Sequence, residues 1–348
     1  MISKVSNLPL ISVIVCTRDR PRDLSTLLQT ILQQNYLPLD VIIVDDSPRH
    51  SAKIVANLCS SKFESVGCSL RYVLGSGDGL PAARNLGIKM ANGDVILFLD
   101  DDTLLLDKNV LRAIAEFLRE NNNALGVQPL IIDQNSFIAR NGLVTKLENY
   151  IYKAFMLSYY KDNTLAVRRS GTSIFPSSLS KIIEAQRLSG CCCCYRREVF
   201  KQFRFDTNLK RWGFMEDLDF SYRIYRRYPK SLYVIPHTKI VHKHSVEGRM
   251  TTRTAIYMST IYWFYVFFKD IFSASIFNLI AFIWALTGNL IVRISGSLLK
   301  RKPKKEWWDI IWLLAAYITA FKNFKSILRG DLRFFNKIFL NRDESNTI

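Results

Sequence analysis

The stretch VILFLDDDT, Val95 to Thr103, joins a wholly apolar run to three consecutive carboxylates. An apolar run without polar alternation is typical of a strand that is buried on both faces of a sheet. Apolar residues at helical spacing follow it, from Val110 to Leu118, and predict a helix. In sheets built from such units, ligands bind at the carboxyl ends of the strands. The three acids therefore occupy a candidate binding edge.

Similar units precede this stretch. Three further segments predict strands, and a helical pattern follows the first and the third: LISVIVCT (10–17), VIIVDDS (41–47) and LRYVLG (70–75). Pro21 opens the first of these helices, and the glycine-rich GSGDG leads into the helix over LPAARNLGIKMA. The pattern predicts an α/β fold with a mostly parallel, Rossmann-like central sheet flanked by helices.

The net charge of the chain limits which binding partners are expected. The chain has 348 residues, 49% of them apolar, and a net charge of +18, which indicates an anionic partner. Nucleic acid is not expected, because no compact nucleic-acid-binding motif is present and acids at strand ends would repel phosphate unless a cation were bound. Seven cysteines without framework spacing are typical of a reducing compartment. An anionic membrane surface or a phosphate-bearing substrate is therefore expected.

Acidic and histidine clusters suggest a metal. Three adjacent carboxylates repel one another unless a cation is present, and a hard divalent ion with oxygen ligands resolves the conflict. Further candidates occur in three clusters: Asp45 and Asp46; Glu216, Asp217 and Asp219; His237, His242 and His244. An imidazole among carboxylates would favour Mn²⁺ over Mg²⁺. A solvated acidic turn, or acids that simply stabilise a helix N-terminus, remain the alternatives.

The four consecutive cysteines of GCCCCYRREVF, Cys191 to Cys194, raise the question of a second metal or redox centre. Neighbouring residues of a strand point to opposite faces, so the four thiols cannot converge on one ion. Small, weakly polar thiols suit a buried strand. We expect a structural role, with palmitoylation or redox chemistry as the alternatives.

Seven segments occur in an order that resembles the family 2 glycosyltransferases with the GT-A fold, over roughly residues 10 to 248. They are SVIVCTRDRP, VIIVDDS, GLPAARNLGI, ILFLDDDT, LSGCCCCYRREVF, GFMEDLDFSYRI and IVHKHS. The resemblance implies a transferase that uses a nucleotide-sugar donor and a divalent metal, Mn²⁺ or Mg²⁺, and that inverts the anomeric carbon.

The resemblance also assigns roles to single residues. Asp217 matches the base that deprotonates the acceptor hydroxyl. The nucleotide-sugar side would comprise Thr17, Arg18, Asp19, Asp46, Arg84, Asp100 and Asp101, with Arg84 near the ribose or diphosphate. The metal ligands would be Asp102 and Asp100 of the DXD motif with His242, although His244 remains open. Glu216 and Trp212 are expected on the acceptor side.

The composition of the chain changes near residue 250, from alternating strand and helix patterns to long apolar runs with basic residues between them. This change predicts a catalytic domain over 1–250 and a membrane-associated helical region over 251–348. The second region holds 14 Lys or Arg and 6 Asp or Glu, a net +8 (14 − 6), interleaved with Trp, Phe and Leu. An uncharged run between Asp270 and Arg293 is long enough for one crossing. That crossing would place the following KRKPKK outside, against the positive-inside rule, so in-plane or re-entrant helices at the cytoplasmic face of the inner membrane are favoured.

Other enzyme classes share some of these features. A sugar nucleotidyltransferase would carry a glycine-rich phosphate loop after its first strand, and CTRDRP lacks glycine there. A processive polysaccharide synthase would carry a QxxRW motif after the catalytic acid, and none follows Asp217. A polyprenyl-phosphate glycosyltransferase remains an alternative. The expected function is transfer of one sugar to a hydroxyl of a glycan or lipid-linked acceptor in cell-surface polysaccharide synthesis.

Overall fold

A computed structural model describes residues 8–133, 143–247, 249–299 and 303–336. Its strands are β1 (Ile11–Thr17), β2 (Leu39–Asp45), β3 (Ser69–Leu74), β4 (Val95–Asp100), β5 (Thr103–Leu104), β6 (Gly126–Asp133), β7 (Tyr159–Tyr160), β8 (Ala166–Val167), β9 (Ser173–Phe175), β10 (Ile183–Glu184), β11 (Cys192–Arg196) and β12 (Leu232–His242). Its helices are α1 (Pro21–Leu32), α2 (Ala52–Ser65), α3 (Leu80–Met90), α4 (Val110–Glu120), α5 (Leu143–Ala154), α6 (Val199–Gln202), α7 (Glu216–Arg227), α8 (Thr252–Val266), α9 (Ile276–Leu299), α10 (Pro303–Lys322), α11 (Phe324–Leu328) and α12 (Arg333–Phe335), with a π-helical turn at Phe267–Ile271.

The central sheet has the strand order β10-β12-β6-β11-β4-β1-β2-β3, and β5 pairs with β12. Strands β4, β1, β2 and β3 are parallel neighbours, as are β12 and β6, whereas β11 runs antiparallel between β4 and β6. The predicted mostly parallel sheet is confirmed. Thr17 is opposite Asp45, and Cys16 is opposite Asp100, so the carboxyl ends of β1, β2 and β4 meet at one edge.

Helices cover both faces of the sheet. On one face α1, α2 and α4 bury residues such as Leu28, Phe63 and Ile114 against the strands. On the other face α3 and α7 contribute Ile88 and Phe220. Two apolar layers explain why the central strands lack polar alternation, since neither face of the sheet meets water.

The cysteine strand β11 lies in the middle of the sheet, and its thiols divide between the two layers. Cys192 and Cys194 pack in the α1–α2–α4 layer, whereas Cys193 packs in the α3–α7 layer. Burial raises the pKa of the Cys193 thiol well above its usual value. The prediction that these thiols point to opposite faces is confirmed.

The irregular region, roughly residues 133 to 188, has no regular apolar pattern in the sequence and contains α5 and a small sheet of β7, β9 and β8. Part of that region, 134–142, lies outside the described residues. Arg168 ties the helix to the small sheet, because its guanidinium donates to the carbonyl of Lys153 in α5 at 2.9 Å and lies over the Tyr159 ring of β7 at 4.8 Å.

The C-terminal helices form a third apolar cluster with the rest of the chain. Helix α8 begins at the N-cap Thr251, whose hydroxyl accepts from the amide of Thr254. Beyond its first turn α8 is almost wholly buried, and Trp263 Nε1 donates to the carbonyl of Ser170 at 2.8 Å. Helices α9 and α10 pack on its other side. Within the described residues, α9 alone is long and apolar enough to cross a bilayer, over Ile276–Ser297.

Candidate active site

The strand ends of β1, β2 and β4 line a first cavity of about 170 Å³. Most of the residues predicted for the nucleotide-sugar side contact it. They are Thr17, Arg18, Asp46, Asp100 and Asp101. The topology explains this grouping, since parallel strands bring residues that are distant in sequence to one edge.

Asp46 faces the glycine-rich loop that follows β3. Its carboxylate accepts from the amides of Gly77 at 2.7 Å and Gly79 at 3.0 Å. Any side chain at Gly75 would collide with it, because a Cβ there would lie 2.4 Å from Asp46 Oδ1. Burial raises the pKa of Asp46, against the opposing effect of the two amides. The loop therefore holds this carboxylate at the rim of the first cavity.

The loop after β1 is tied to the end of β2. Arg18 donates to the carbonyl of Asp46 at 3.0 Å, and the amide of Asp19 donates to Ser47 Oγ at 2.9 Å. Asp45, the other acid of this strand end, accepts instead from the Ser47 amide and from the first amide of α2, both at 3.0 Å. Asp45 thus stabilises the start of a helix, whereas Asp46 remains at the cavity.

Asp101, the middle acid of the triplet, is 4% exposed. It accepts from Thr17 Oγ1 at 2.7 Å and from the Arg20 guanidinium at 3.2 Å. Burial raises its pKa to about 7. Because both of its oxygens are bonded to the loop after β1, Asp101 fixes that loop against the end of β4.

The two outer acids meet a histidine of β12. Ligand atoms of Asp100, Asp102 and His242 all lie within 4.8 Å of one another, and His242 Nε2 is 3.1 Å from Asp102 Oδ1. Burial alone would raise the pKa of Asp102, but the bond and charge of His242 and the amide of Ser245 hold it at about 2. The ring of His244 contacts that of His242 at 3.9 Å, outside the group. Two carboxylates and one imidazole suit Mn²⁺ or Mg²⁺, so the residues present fit a divalent ion.

Arg84 and Glu216 form a buried pair next to the acid triplet. Arg84 is 1% exposed and donates to Asp100 at 3.0 Å. Its other nitrogen pairs with Glu216, which is 4% exposed. The substrate contacts that the resemblance assigns to these two residues stay predictions. Burial raises the pKa of Glu216 to about 8, against the opposing charge of Arg84. Both side chains point under the sheet edge, so they orient Asp100 from below.

Trp212, which was expected on the acceptor side, lines the first cavity with Thr17 and Asp46. Which substrate it contacts stays a prediction. The backbone explains its place, because the amide of Leu80 donates to the carbonyl of Arg211 at 2.7 Å and holds this segment against the start of α3.

Asp217 stands at the N-terminus of α7, with its side chain 20% exposed. Its Oδ2 accepts from Arg187 at 2.5 Å and from the amide of Gly190 at 3.0 Å, and its Oδ1 accepts from the amide of Leu218 at 2.7 Å. It lines a second cavity of about 500 Å³ together with His242. Asp100 lines the first cavity and His242 lines the second, so the acidic group connects the two.

Two arginines of the site were missed by sequence reasoning. Arg20, visible in CTRDRP, lies 3.2 Å from Asp101 and 3.6 Å from Asp102, and the position of its cation directly after the first strand was the available signal. Arg187 is 8% exposed and donates to Ser173 Oγ at 2.8 Å besides its ion pair with Asp217. It comes from the irregular region, where no pattern distinguished it.

Comparison with known proteins agrees with the geometry. The family model described as glycosyl transferase family 2 matches residues 12–204, more than half of the chain. The chain therefore belongs to glycosyl transferase family 2, as its segments predicted.

Relatives and solved structures extend this result. The hyaluronan synthase of Pasteurella multocida is 26% identical over 235 residues, which cover 62% of this chain but 23% of that protein. The Pyrobaculum calidifontis mannosyltransferase PcManGT, solved with GDP-Man and Mn²⁺, is 16% identical with a TM-score of 0.56, over 90% of this chain and 87% of that chain. S. aureus TarS 1-349 with UDP-GlcNAc is 16% identical with a TM-score of 0.55, over 96% and 92%. These likenesses confirm the GT-A-like fold.

Proposed function

We propose that this chain transfers one sugar, with inversion, from a nucleotide-diphosphate sugar to a hydroxyl of a glycan or lipid-linked acceptor in cell-surface polysaccharide synthesis. One observation carries the proposal. The group formed by Asp100, Asp102 and His242 connects two cavities, and Asp217 faces the second of them. Such an arrangement suits a reaction in which a leaving group and an attacking hydroxyl lie on opposite sides of one sugar.

The first cavity is the proposed donor site. Asp46, held by two loop amides, offers acceptor oxygens to the nucleotide base, and the segment Thr17 to Asp19 lies beneath the nucleotide. Trp212 provides an aromatic wall at the same cavity. Arg18 and Arg20, which also line it, bring positive charge toward a diphosphate.

Asp100, Asp102 and His242 would hold the divalent ion, Mn²⁺ or Mg²⁺. When bound, such an ion stabilises negative charge on a leaving diphosphate as a Lewis acid. The surrounding residues keep these ligands in place, because Arg84 bonds Asp100 from below and the Ser245 amide bonds Asp102 at 2.9 Å. The use of Mn²⁺ by a mannosyltransferase of the same fold supports this assignment.

Asp217 is the proposed general base. Its Oδ1 accepts one amide hydrogen bond while Oδ2 accepts two, so Oδ1 is the oxygen with the freer lone pair for a hydroxyl proton. A positioned carboxylate within hydrogen-bond reach of the acceptor is what base catalysis requires. The Gly190 and Leu218 amides fix the direction of this carboxylate.

Aromatic side chains suit the second cavity to a sugar acceptor. Tyr160, Phe175 and Phe214 line it, and Tyr160 and Phe214 are 40% and 39% exposed. The apolar face of a pyranose ring packs on such rings, while its hydroxyls meet Gln128 and Ser189 at the same wall. The small sheet of β7, β8 and β9 supplies two of the three aromatic residues, which supports a role of the irregular region in acceptor choice.

The C-terminal helices are proposed to hold the enzyme in the plane of the cytoplasmic membrane face, beside a catalytic domain that ends near residue 250. Large apolar side chains are exposed along α9 and α10, among them Phe277, Trp284, Trp307 and Trp308. Near its middle α9 packs against the remainder of the chain, since Trp284 Nε1 donates to the carbonyl of Ala154 at 2.9 Å and Phe282 stacks on Phe267. Exposed apolar side chains next to the basic segment KRKPKK suit a helix in the plane of the membrane surface.

The transfer proposal is tested with the purified full-length chain, Mn²⁺ and a panel of nucleotide sugars, by measuring release of nucleoside diphosphate with and without glycan or lipid-linked acceptors. Release from one donor, increased by an acceptor and abolished by chelator, is expected. Absence of release from every donor, with nucleotide sugars bound normally, would contradict it.

The membrane proposal has a separate test. A cysteine introduced by Arg301→Cys reports the side of the basic segment in intact cells. Labelling only after permeabilisation is expected for in-plane helices at the cytoplasmic face, whereas labelling by an impermeant maleimide from outside would show that α9 crosses.

A further inference from the structure

A third cavity, of about 700 Å³, lies between α5, α9 and α10. It shares no lining residue with the two cavities of the proposed active site. Its polar wall includes Arg293 and Ser297 of α9 and Asp309 of α10, and its apolar wall includes Ile151 of α5 and Phe155 directly after that helix. The reaction proposed above uses none of these residues.

Three buried polar atoms of this cavity have no hydrogen-bond partner among the residues that the structure describes. They are Arg293 Nε, Ser297 Oγ and Asp309 Oδ1. Ser297 is 2% exposed, so water does not reach its hydroxyl freely. Arg293 and Asp309 form no ion pair with each other in the described ranges. Buried polar groups are normally bonded, and unpaired ones indicate a missing partner.

The polar residues form a stripe on a helix that is otherwise apolar. Asn289, Arg293 and Ser297 follow one another at intervals of four and lie on the same side of α9. Beside them, Ile291 both lines the cavity and is 40% exposed, and Tyr150 of α5 is 69% exposed. The polar cavity therefore opens beside an exposed apolar surface.

We propose that this cavity binds the headgroup of a zwitterionic phospholipid that carries a primary ammonium group. The lipid phosphate accepts from Arg293 and Ser297, and its ammonium group donates to Asp309. A ligand with one charge would pair with only one of the two ionic residues and leave the buried atom of the other, Arg293 Nε or Asp309 Oδ1, without a partner, which is costly. A headgroup that carries both charges satisfies both, while its acyl chains lie along exposed Ile291 and the neighbouring apolar residues.

Binding is measured by titrating the purified full-length protein with dihexanoylphosphatidylethanolamine and, in parallel, dihexanoylphosphatidylglycerol, below their micellar concentrations. The zwitterionic lipid is expected to bind with one-to-one stoichiometry. Arg293→Gln and Asp309→Asn should each weaken that binding by at least about 10-fold, in proportion to a lost charged hydrogen bond. Lys322→Gln removes a charge from the exposed surface of α10 and should leave the affinity unchanged.

Each result decides the proposal. Equal binding of both lipids, with Asp309→Asn without effect, would show that an anionic headgroup suffices and overturn it. An equal loss in Arg293→Gln and Lys322→Gln would point to general surface electrostatics and also overturn it. Because both substitutions remove an unpaired charge, the lipid-free variants should unfold at a temperature no lower than the wild type, which separates lost binding from misfolding. Donor turnover without acceptor provides an independent readout, so failure here leaves the transfer proposal intact.

Discussion

Strands β4 and β11 are antiparallel neighbours that both carry residues with reactive side chains, yet they use them differently. β4 ends in Asp100, and the two acids that follow reach the edge of the sheet, where the first cavity lies. The thiols of β11 lie within the sheet, with Cys193 opposite Phe98 of β4, and divide between two apolar layers. Residue type alone did not distinguish these two strands. Position did, because a strand end collects side chains at one point while a strand interior separates them.

The backbone directly before β11 nevertheless supports the acids. The amide of Asp100 and the hydroxyl of Thr103 both donate to the carbonyl of Cys191, at 3.1 and 2.9 Å. Cys191 therefore shapes the acidic loop through its main chain and lines the second cavity, whereas the thiols of β11 itself, Cys192 to Cys194, pack in the two apolar layers. Substitutions on the two strands should consequently differ in kind: those at the end of β4 should change chemistry, and those within β11 should change stability.

The largest effect is expected at the end of β4. Asp102→Ala removes a proposed metal ligand and the partner of His242 and the Ser245 amide, so donor turnover should fall by roughly 10³-fold or more. Nucleotide-sugar binding should weaken in Mn²⁺ and be unaffected in chelator. Both are measured on the purified variant, by diphosphate release and by calorimetric titration.

Asp162→Asn is a suitable control, because this exposed carboxylate lines neither cavity and, within the part of the chain that the structure describes, its side chain bonds Ser177 and Ser178. It should retain wild-type turnover. Full activity of the wild type in excess chelator would show that the reaction needs no divalent metal. The proposed chemical difference between β4 and β11 would then be wrong.

Asp217→Asn should have the next largest effect. It keeps the shape and one acceptor oxygen at the start of α7 but loses the proton acceptor, so transfer should fall about 10²- to 10⁴-fold while donor binding persists. Glu216→Gln, its neighbour, lies under the sheet edge with Arg84 and should mainly lower stability, by about 1 to 3 kcal/mol. Thermal unfolding, donor binding and transfer rate are compared for both variants.

Asp219→Asn completes this series. Asp219 is fully buried and pairs with Arg223 and Lys269, so the structure predicts a loss of stability and little change in transfer per folded molecule. Wild-type transfer by Asp217→Asn would show that the acids of α7 only stabilise its N-terminus.

The first cavity, the proposed donor site, could be predicted from sequence because its residues follow regular strands. Thr17, Asp46 and Asp100 each end an apolar run, and a parallel sheet must bring such ends together. The strand pattern alone did not decide whether Asp45 or Asp46 faces the cavity; the resemblance assigned Asp46, and Asp46 lines it. The ion pairs of Arg84 with Asp100 and Glu216 depend on side-chain packing that no local pattern records.

The second cavity, the proposed acceptor site, was less predictable for a different reason. Arg187 and Asp217 are 30 positions apart, and their ion pair is formed by an irregular segment folding back on α7. No periodicity marks such a segment. The choice between His242 and His244 likewise depended on register, since the pairing of His242 with Thr103 brings its ring to the acid loop. Assignment of the metal ligands themselves stays a prediction.

Arg187→Lys should produce an intermediate effect and would sharpen the comparison between the two cavities. Lysine keeps the charge near Asp217 but cannot bond Ser173 and Asp217 together, so the carboxylate would be less well positioned. A fall in kcat of roughly 10- to 100-fold is expected, with a raised KM for the acceptor and an unchanged KM for the donor.

Arg187→Ala should lower kcat more than Arg187→Lys does if the arginine positions the base. If Arg187 had a purely structural role, both substitutions would lower the unfolding temperature, and kcat would not differ between them in this order. A raised KM for the donor would place Arg187 at the first cavity and contradict the division of the site.

The smallest effect is expected within β11. Cys193→Ala removes one sulfur from a buried layer without disturbing a hydrogen bond of the acid loop, so it should destabilise the protein by about 1 kcal/mol and leave turnover per folded molecule unchanged.

Because the thiolate is the nucleophile and burial raises the pKa of the Cys193 and Cys192 thiols, iodoacetamide should modify neither in the native protein. The same reagent in denaturant should modify all seven cysteines of the chain, which shows that the thiols are free and merely inaccessible. Mass spectrometry of tryptic peptides after each treatment provides the measurement. Native modification of Cys193, or a loss of turnover in Cys193→Ala that exceeds the loss of folded protein, would show that β11 contributes chemistry after all and that position in the strand does not separate it from β4.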